Sequence, residues 1–277
     1  MKEPSVDFLG VGPRKTATTW LDRCLRQHPE LCLPSPVKET HFLVRYFDRG
    51  WDWYWRHFEE CTDRQLLGEI APSCFSVPAA AERIHAHNSR CRILISLRDP
   101  AERSYSLWLH HHRRGRVGED FGEAVATRPD ILDSSHYARH LNRWLDLFGR
   151  EQVKVVLTRD ISEKPETVLH AVHEFLSCDP DAALPEGAGR RIYTRSMSRW
   201  PALERWLSRA SHWLRKYRLY PLLEAGKRLL PSDFMSGGDE PPGLDSELRR
   251  RLIEEFADDI DFVESLLGHD LSAWRKA

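Results

Sequence analysis

The sequence predicts an α/β fold in which a central parallel sheet is flanked by helices. Three apolar segments with the length of buried strands are each followed by a segment whose apolar residues recur at helical spacing. Strands that alternate with helices in this way are typical of parallel sheets. Beyond residue 190 no strand-like segment follows, so the last third of the chain is predicted to be helical.

The first strand is predicted in the short apolar run from Val6 to Val11, which precedes a glycine-proline loop. The loop leads into TTWLDRCLRQHP, a segment with helical spacing of its apolar residues. Thr18 or Thr19 is expected to cap this helix, and Pro29 to stop it. Residues 15–19 therefore lie in a strand–loop–helix turn, where free amides and the helix dipole favour an anion.

A second strand and helix are predicted in CRILISLRDP, residues 91–100, and in AERSYSLWLHHHRR, which follows it. Pro100 suits the first turn of that helix, and His110, His111 and His112 are expected on a solvated face. QVKVVLTRDI, residues 152–161, is a third predicted strand between the helices SSHYARHLNRWLDLFG and ETVLHAVHEFL. LLGEI, residues 66–70, is a candidate fourth strand.

The C-terminal third is basic and then helical. Residues 190–229 hold 11 Lys or Arg against two Glu, interleaved with tryptophan. DSELRRRLIEEFADDIDFVESLLG predicts a helical pair that breaks near residues 258–261 and ends at Gly268. Because no linker is evident, we predict a single domain over residues 1–277, with an α/β core at 5–180 and a helical part at 190–277.

Composition excludes several classes of protein. With 41 basic and 42 acidic residues, the chain gives no general signal for nucleic-acid binding. The first residues lack an apolar signal stretch, and no run approaches 18 apolar residues, so we expect no membrane span. The six cysteines include no C-x-x-C pair, and we expect them to be the reduced thiols of a cytoplasmic protein rather than zinc ligands.

The loop RKTATTWL resembles a phosphate-binding loop, so the predicted domain is P-loop-like. The usual pattern, G-x-x-x-x-G-K-[ST], has glycine directly before the lysine. Arg14 stands there instead, followed by the cation of Lys15 and the hydroxyls of Thr16, Thr18 and Thr19. This set suits a phosphate that carries a further anionic group. A basic turn with threonine caps and no ligand is the alternative.

Two further pairs of residues carry possible chemistry. In an extended segment Glu39 and His41 point the same way, so a carboxylate and an imidazole lie side by side and suit general-base chemistry. Arg98 ends a predicted strand and Ser106 lies on the second turn of the next helix, so both could reach another phosphate. Each pair taken alone also fits an ordinary surface or structural ion pair.

Together these features resemble the sulfotransferase family that uses 3′-phosphoadenosine 5′-phosphosulfate. RKTATTWL resembles its 5′-phosphosulfate loop, and SLRDPAERSYSLW resembles its 3′-phosphate motif. PVKETHFL is similar to the segment that carries the catalytic glutamate in heparan-type carbohydrate sulfotransferases and their bacterial relatives. GEIAPSCF, residues 68–75, resembles their EKTPxYF element, and SLLGHDLSAW their last helix. The resemblance spans residues 5–180 and the C-terminal 30.

The resemblance implies in-line transfer of a sulfuryl group from this donor to an acceptor hydroxyl, without a metal. Lys15 would neutralise the bridging oxygen, while Glu39 acts as general base and His41 assists it. Arg98 and Ser106 would bind the 3′-phosphate. The 5′-phosphate would be held by the residues of the loop, namely Arg14, Lys15, Thr16, Ala17, Thr18, Thr19 and Trp20.

The chain departs from the family pattern at two places. Ile70 stands where the EKTP element has lysine. The role of the family lysine is therefore lost here or passes to another cation such as Lys38. A clear KGR-type loop for the 3′-phosphate is also missing near residue 190, and Arg195 is the candidate that lies in about the right place.

Two other functions stay open at this level. One is a P-loop-like nucleotide kinase or NTPase, which the missing glycine and the absence of a clear acidic magnesium ligand argue against. The other is a non-enzymatic module that binds membranes or polyanions through the Trp- and Arg-rich segment 199–228, which is also the segment that would make a peripheral membrane contact.

The acceptor of the sulfotransferase reaction is expected to be a glycan, a glycolipid or a hydroxylated natural product, and not nucleic acid. The sequence leaves its identity and the oligomeric state undefined.

Overall fold

The computed structural model describes residues 4–182 and 243–276. Its strands are β1 (Phe8–Gly10), β2 (Leu31–Cys32), β3 (Leu66–Ile70), β4 (Arg92–Leu97) and β5 (Val153–Leu157). They form one sheet in the order β2-β3-β1-β4-β5, and every neighbouring pair is parallel. The predicted fold class, a central parallel sheet flanked by helices, is confirmed.

Helices cover the sheet and make up the described C-terminal part. In chain order they are α1 (Thr18–Leu25), α2 (Phe42–Arg45), α3 (Gly50–Trp55), α4 (Pro78–His87), α5 (Pro100–Arg113), α6 (Phe121–Thr127), α7 (Asp130–Asp133), α8 (Tyr137–Phe148), α9 (Thr158–Glu163), α10 (Pro165–Leu176), α11 (Ser246–Glu255) and α12 (Ala257–Leu267). The predicted C-terminal helical pair is present, but it breaks at Phe256, and α12 ends at the left-handed Gly268 as expected. Among the described helices, none is both long and apolar enough to cross a bilayer.

The sheet is apolar on both faces because successive strand residues point to opposite sides. Phe8 and Leu94 pack with α1 and α10 on one face. Leu9 and Ile93 pack with α4, α8 and α12 on the other face. The C-terminal helices therefore contribute to the core of the α/β domain.

Two sequence predictions of secondary structure need correction. The third strand was predicted over residues 152–161, but β5 ends at Leu157 and the chain continues directly as α9. The apolar pattern ends at the same residue, because the segment that follows, TRDISE, is mostly polar. The two-residue strand β2 was not predicted, since its pairing with β3 leaves no periodic pattern in so short a stretch.

The oxidation state of one pair of cysteines differs from the expectation. Cys32 of β2 and Cys61, which follows α3, form a disulfide, so the prediction of six reduced thiols is wrong for these two. The pairing joins residues 29 positions apart, and no local spacing could indicate it. Because of the disulfide, cysteine usage no longer supports a cytoplasmic location. The other four cysteines are free and buried, namely Cys24, Cys74, Cys91 and Cys178.

Candidate active site

The candidate site lies at the edge of the sheet where β1, β3 and β4 end. The carboxyl ends of parallel strands meet at one edge, and ligands of open α/β sheets bind where the chain leaves neighbouring strands in opposite directions. β1 is the middle strand, with β3 on one side and β4 on the other. The loop after β1, the turn after β3 and the start of α5 after β4 therefore converge.

The predicted phosphate-binding loop has an unusual backbone for a loop without glycine at its centre. Lys15 and Ala17 both have left-handed conformations, with φ of 78° and 62°. Each costs about 1–2 kcal/mol in a residue with a side chain, and such strain is found at ligand sites. Left-handed residues in such loops turn successive N–H groups into an anion-binding concavity, here next to the start of α1.

The capping prediction for α1 is wrong. The N-cap residue is Ala17, and Thr18 and Thr19 are the first helical residues. Their hydroxyl oxygens accept from Lys38 Nζ, at 3.2 and 3.4 Å. The two hydroxyls are thus tied to a cation from the neighbouring segment, at the helix start where the anion is expected.

Thr16 has a structural role in the loop. Its hydroxyl is buried, donates to the carbonyl of Pro13 at 2.6 Å and lies 2.8 Å from Ser96 Oγ on β4. A Cβ atom on Gly12 would lie 2.3 Å from the same Ser96 Oγ. The loop is therefore fixed against β4, and the hydroxyl predicted to hold the 5′-phosphate instead holds the loop.

Lys38 is a partly buried cation at the site. Burial lowers the pKa of its ammonium group, while the nearby carboxylates of Asp22 and Glu39 oppose this shift. Ile70, which replaces the lysine of the family pattern, is fully buried in the core. Lys38 therefore supplies, from a neighbouring segment, a positive charge beside the loop.

Glu39, His41 and Ser73 form a cluster that we call the Glu39 cluster. Glu39 Oε1 accepts from the backbone N–H of Ser73 at 2.9 Å and from its hydroxyl at 2.5 Å. His41 Nδ1 lies 3.5 Å from the same carboxylate oxygen and 3.4 Å from Ser73 Oγ. The predicted proximity of Glu39 and His41 is present, although His41 is left-handed with φ of 58° and not extended.

Glu69 supports this cluster from the core. Its carboxylate accepts from the backbone N–H of Thr40 at 2.5 Å and from the Thr40 hydroxyl at 3.0 Å. Thr40 lies between Glu39 and His41, so this contact fixes the backbone that carries both side chains. Burial raises the pKa of Glu69 to about 7, a shift that the Thr40 hydrogen bonds oppose and the charge of Glu39 reinforces.

Arg98 follows β4 and contacts Glu102, which shares a face of α5 with Ser106. Arg98 Nη2 contacts Glu102 Oε2 at 2.6 Å. Glu102 and Ser106 are four residues apart on the helix and therefore share a face. The arrangement brings the two predicted 3′-phosphate ligands towards each other, with a carboxylate between them along the helix.

His110 is partly buried, which the sequence reasoning missed. It was expected on a solvated face, but burial lowers its pKa strongly, and the positive charges of Arg114, Lys15 and Arg14 lower it further. A neutral imidazole therefore lies near the lysine of the phosphate-binding loop. His111, its neighbour, is fully buried, so the expectation of a solvated run is wrong for both.

Not all predicted site residues lie at the candidate site. Trp20 is 6% exposed and packs in the core against the sheet, so its indole supports α1 rather than facing a nucleotide. Arg195 and the segment 199–228 fall outside the described residues. Ser73 and Glu69 were not predicted, although both lie in the GEIAPSCF element.

Within residues 4–182 and 243–276, one group has ligand atoms close enough for a metal ion: His28, Glu30 and Cys178. His28 Nδ1 accepts from the Glu30 N–H at 3.2 Å, and Nε2 is 2.9 Å from the carbonyl of Asp179. Burial raises the pKa of Cys178 to about 11, so its thiol is protonated at neutral pH. Both ring nitrogens of His28 are therefore engaged by backbone groups, and the thiol is not in the form that binds a metal ion.

A family model matches most of this chain. The model is described as a sulfotransferase domain, and it matches residues 5–217. The chain belongs to the sulfotransferase family. This confirms the resemblance inferred from the loop, the Glu39 segment and the Arg98 motif.

Similar proteins agree with this assignment. A crystal structure of a sulfotransferase from Alicyclobacillus acidocaldarius matches with a TM-score of 0.72 and 26% identity, over 99% of this chain and 100% of that one. Bifunctional heparan sulfate N-deacetylase/N-sulfotransferase 4 of Mus musculus is 26% identical over 96% of this chain. The corresponding enzyme 1 of the same organism is 30% identical over 61% of this chain. The chain spans 31% and 22% of the lengths of these two relatives.

Proposed function

We propose that this sulfotransferase moves a sulfuryl group from 3′-phosphoadenosine 5′-phosphosulfate to a hydroxyl of a glycan, glycolipid or hydroxylated natural product. The observation that carries the proposal is the position of the Glu39 cluster beside the phosphate-binding loop. Lys38 joins the two, because its ammonium group contacts the first threonines of α1 and the residue itself directly precedes Glu39 in the chain.

The loop and α5 hold the two ends of the donor in this proposal. Lys15 and the amides at the start of α1 bind the 5′-phosphosulfate, as helix N-termini bind anions in general. Arg98 and Ser106 bind the 3′-phosphate, with charge-assisted hydrogen bonds from the guanidinium group. The 3′-phosphate is what separates this donor from ATP.

Transfer requires one proton acceptor and one source of positive charge. The acceptor oxygen forms a bond to sulfur, the bond from sulfur to the 5′-phosphate oxygen breaks, and the hydroxyl proton passes to Glu39. The charge that develops on the leaving phosphate oxygen is stabilised by Lys15 and Lys38. Since Oε1 of Glu39 accepts both bonds from Ser73, Oε2 is the oxygen that takes the proton.

The positions of the acidic residues argue against a magnesium-dependent kinase. Asp99 is the acid that follows β4, and its Oδ1 caps α5 by accepting from the N–H groups of Ala101 and Glu102, at 2.9 and 3.2 Å. Its Oδ2 is paired with Arg249 at 2.8 Å. A carboxylate engaged in this way supports the start of a helix and is not available as a metal ligand.

Calorimetry with adenosine 3′,5′-bisphosphate and AMP tests the donor. We expect the bisphosphate to bind much more tightly, and Arg98→Ala to weaken the bisphosphate far more than AMP. Equal affinity of the wild-type protein for the two nucleotides would refute the proposal. A screen of hydroxyl acceptors with labelled donor then identifies the acceptor, and preferred binding of ATP with magnesium would favour the kinase instead.

A further inference from the structure

Arg249 connects the described C-terminal helices to the start of α5. It lies on α11, and its Nη2 pairs with Asp99 Oδ2 at 2.8 Å, while its Nε donates to the carbonyl of Lys276 at 2.5 Å. Its Nη1 is buried and makes no hydrogen bond within the described part of the chain. Nη1 lies 3.9 Å from Glu102 Oε1, which is too long for a hydrogen bond.

Glu102 thus lies between two arginines. Its Oε2 is bonded to Arg98 Nη2 at 2.6 Å, and its Oε1 faces Arg249 Nη1 at the longer distance. Oε2 therefore has a close partner in Arg98, while Oε1 faces a buried nitrogen that makes no hydrogen bond among the described residues. Two arginines and the two carboxylates of Asp99 and Glu102 make this group neutral overall.

This arrangement opposes the binding of a 3′-phosphate. Arg98 is the predicted ligand of that phosphate, but the Glu102 carboxylate holds it at 2.6 Å. A phosphate that approaches Arg98 has to compete with Glu102 for the same guanidinium group and is also repelled by its charge. A phosphate that binds Arg98 therefore displaces this contact of the Glu102 carboxylate.

We propose that Arg249 is a positioning residue that takes over Glu102 when the 3′-phosphate binds Arg98. A shift of the carboxylate by about 1 Å brings Oε1 to the usual length of a charge-assisted hydrogen bond with Nη1. Arg98 is then released to the phosphate, and the buried Nη1 gains an acceptor. This inference rests on the proposed donor and adds a specificity role for the C-terminal helices.

The role predicts a change in nucleotide selectivity rather than in fold alone. Binding of adenosine 3′,5′-bisphosphate and of AMP to the full chain is measured by calorimetry for four variants: Arg249→Gln, Glu102→Gln, the double variant, and Arg250→Gln. Arg250 is the matched control, because it lies on the same helix, is exposed and pairs with Glu247. Melting temperatures are recorded beside each titration.

We expect Arg249→Gln to weaken the bisphosphate by about tenfold, the size of one charge-assisted hydrogen bond, and to leave AMP unchanged. In the double variant, the neutral amide that replaces the Glu102 carboxylate no longer competes for Arg98, so bisphosphate affinity should return to within about twofold of Glu102→Gln alone. Arg250→Gln should resemble the wild type. If Arg249→Gln weakened bisphosphate binding only because it removes the contact with Asp99, adding Glu102→Gln would not restore the affinity.

Three results distinguish a failure of the proposed donor from a failure of the proposed role of Arg249. If the wild type does not prefer the bisphosphate over AMP, the proposed donor itself is wrong. If the wild type prefers it but Arg249→Gln keeps the same ratio, or if the double variant stays as weak as Arg249→Gln, the role of Arg249 is wrong. Should Arg249→Gln fail to fold, Arg249→Lys keeps the charge beside Asp99, and the same cycle with Glu102→Gln applies to it.

Discussion

Ser73 donates both its backbone N–H and its hydroxyl to one carboxylate oxygen of Glu39, at 2.9 and 2.5 Å. The two residues lie 34 positions apart, on the turn after β3 and on the segment before α2. One oxygen of the carboxylate is thereby fixed in place, so the direction in which the other oxygen meets an acceptor is fixed as well. The geometry of the proposed base depends on a serine that has no chemistry of its own in the reaction.

Replacing Ser73 by Ala should slow transfer without affecting nucleotide binding. The variant loses the hydroxyl contact but keeps the backbone N–H, so we expect the single-turnover rate to fall by about tenfold, as for one charge-assisted hydrogen bond. Ser73→Thr retains a hydroxyl and should recover part of the rate. A rate for Ser73→Ala equal to that of the wild type would show that the backbone contact alone positions Glu39.

Glu39→Gln should separate binding from chemistry. The amide keeps the size of the side chain but cannot take a proton, so the rate should fall by about 10²–10⁴ while nucleotide affinity changes little. Lys15→Ala is the contrast, because it should damage both binding and turnover. A Glu39→Gln protein that melts at a lower temperature yet transfers at nearly the wild-type rate would remove Glu39 from the mechanism.

Glu69 should make stability depend on pH. Its pKa is raised from 4.5 in the unfolded chain to about 7 in the folded protein, so the folded state binds the proton more tightly. The favourable contribution is complete below pH 4.5 and is lost as the pH rises through 7, with a total of about 3 kcal/mol. Relative to Glu69→Gln, the wild-type free energy of unfolding should fall between pH 5 and 8. Denaturant unfolding across this range measures it, and parallel pH profiles for the two proteins would contradict the assignment.

The disulfide between Cys32 and Cys61 should be detectable and stabilising. Alkylation of the denatured, unreduced protein should label four cysteines, and six after reduction. Cys32→Ser should lower the free energy of unfolding by ~3.5 kcal/mol according to the chain-entropy relation for a loop of 29 residues. Cys24→Ser, which removes a free thiol, is the control for labelling. Labelling of all six cysteines before reduction would show that the pair does not form.

Removal of divalent metal should leave the reaction intact. In the proposed mechanism, positive charge at the leaving oxygen comes from Lys15, Lys38 and the amides of α1, so nucleotide binding and transfer should persist in excess EDTA. The measurement is the single-turnover rate with and without chelator. A complete loss that added magnesium restores would show that a metal provides part of this charge.

Much of the fold could be read from local patterns. The apolar runs at β1, β4 and β5 are each followed by a segment with helical spacing, and this alternation predicts a parallel sheet. With the candidate strand at β3, they give the three strand ends that build the site. Local sequence motifs were enough to predict three candidate site residues, namely Lys15, Glu39 and Arg98. Gly268 was predicted as a helix end because the local sequence alone decides that conformation.

The contacts between these segments could not be predicted in the same way. Ser73 and Glu69 form hydrogen bonds with Glu39 and Thr40, which lie about 30 residues earlier in the chain. Such long-range pairs have no periodic signature in the sequence. Thr16 was expected to bind phosphate, but its hydroxyl turns to Ser96 of a strand that lies 80 residues further along the chain. His110 was misjudged because helical position alone does not show which element covers a side chain.

The central position of β1 also has a consequence for synthesis of the chain. β1 is made first, but both of its partners, β3 at residues 66–70 and β4 at residues 92–97, leave the ribosome later. Until then the apolar strand and the loop that follows it have no sheet to join, and unpaired strands of this kind are prone to aggregate. Nascent chains that stop before residue 97 should therefore depend on chaperones, and the loop after β1, although it is made before β3 and β4, should become functional only after α5 has been made.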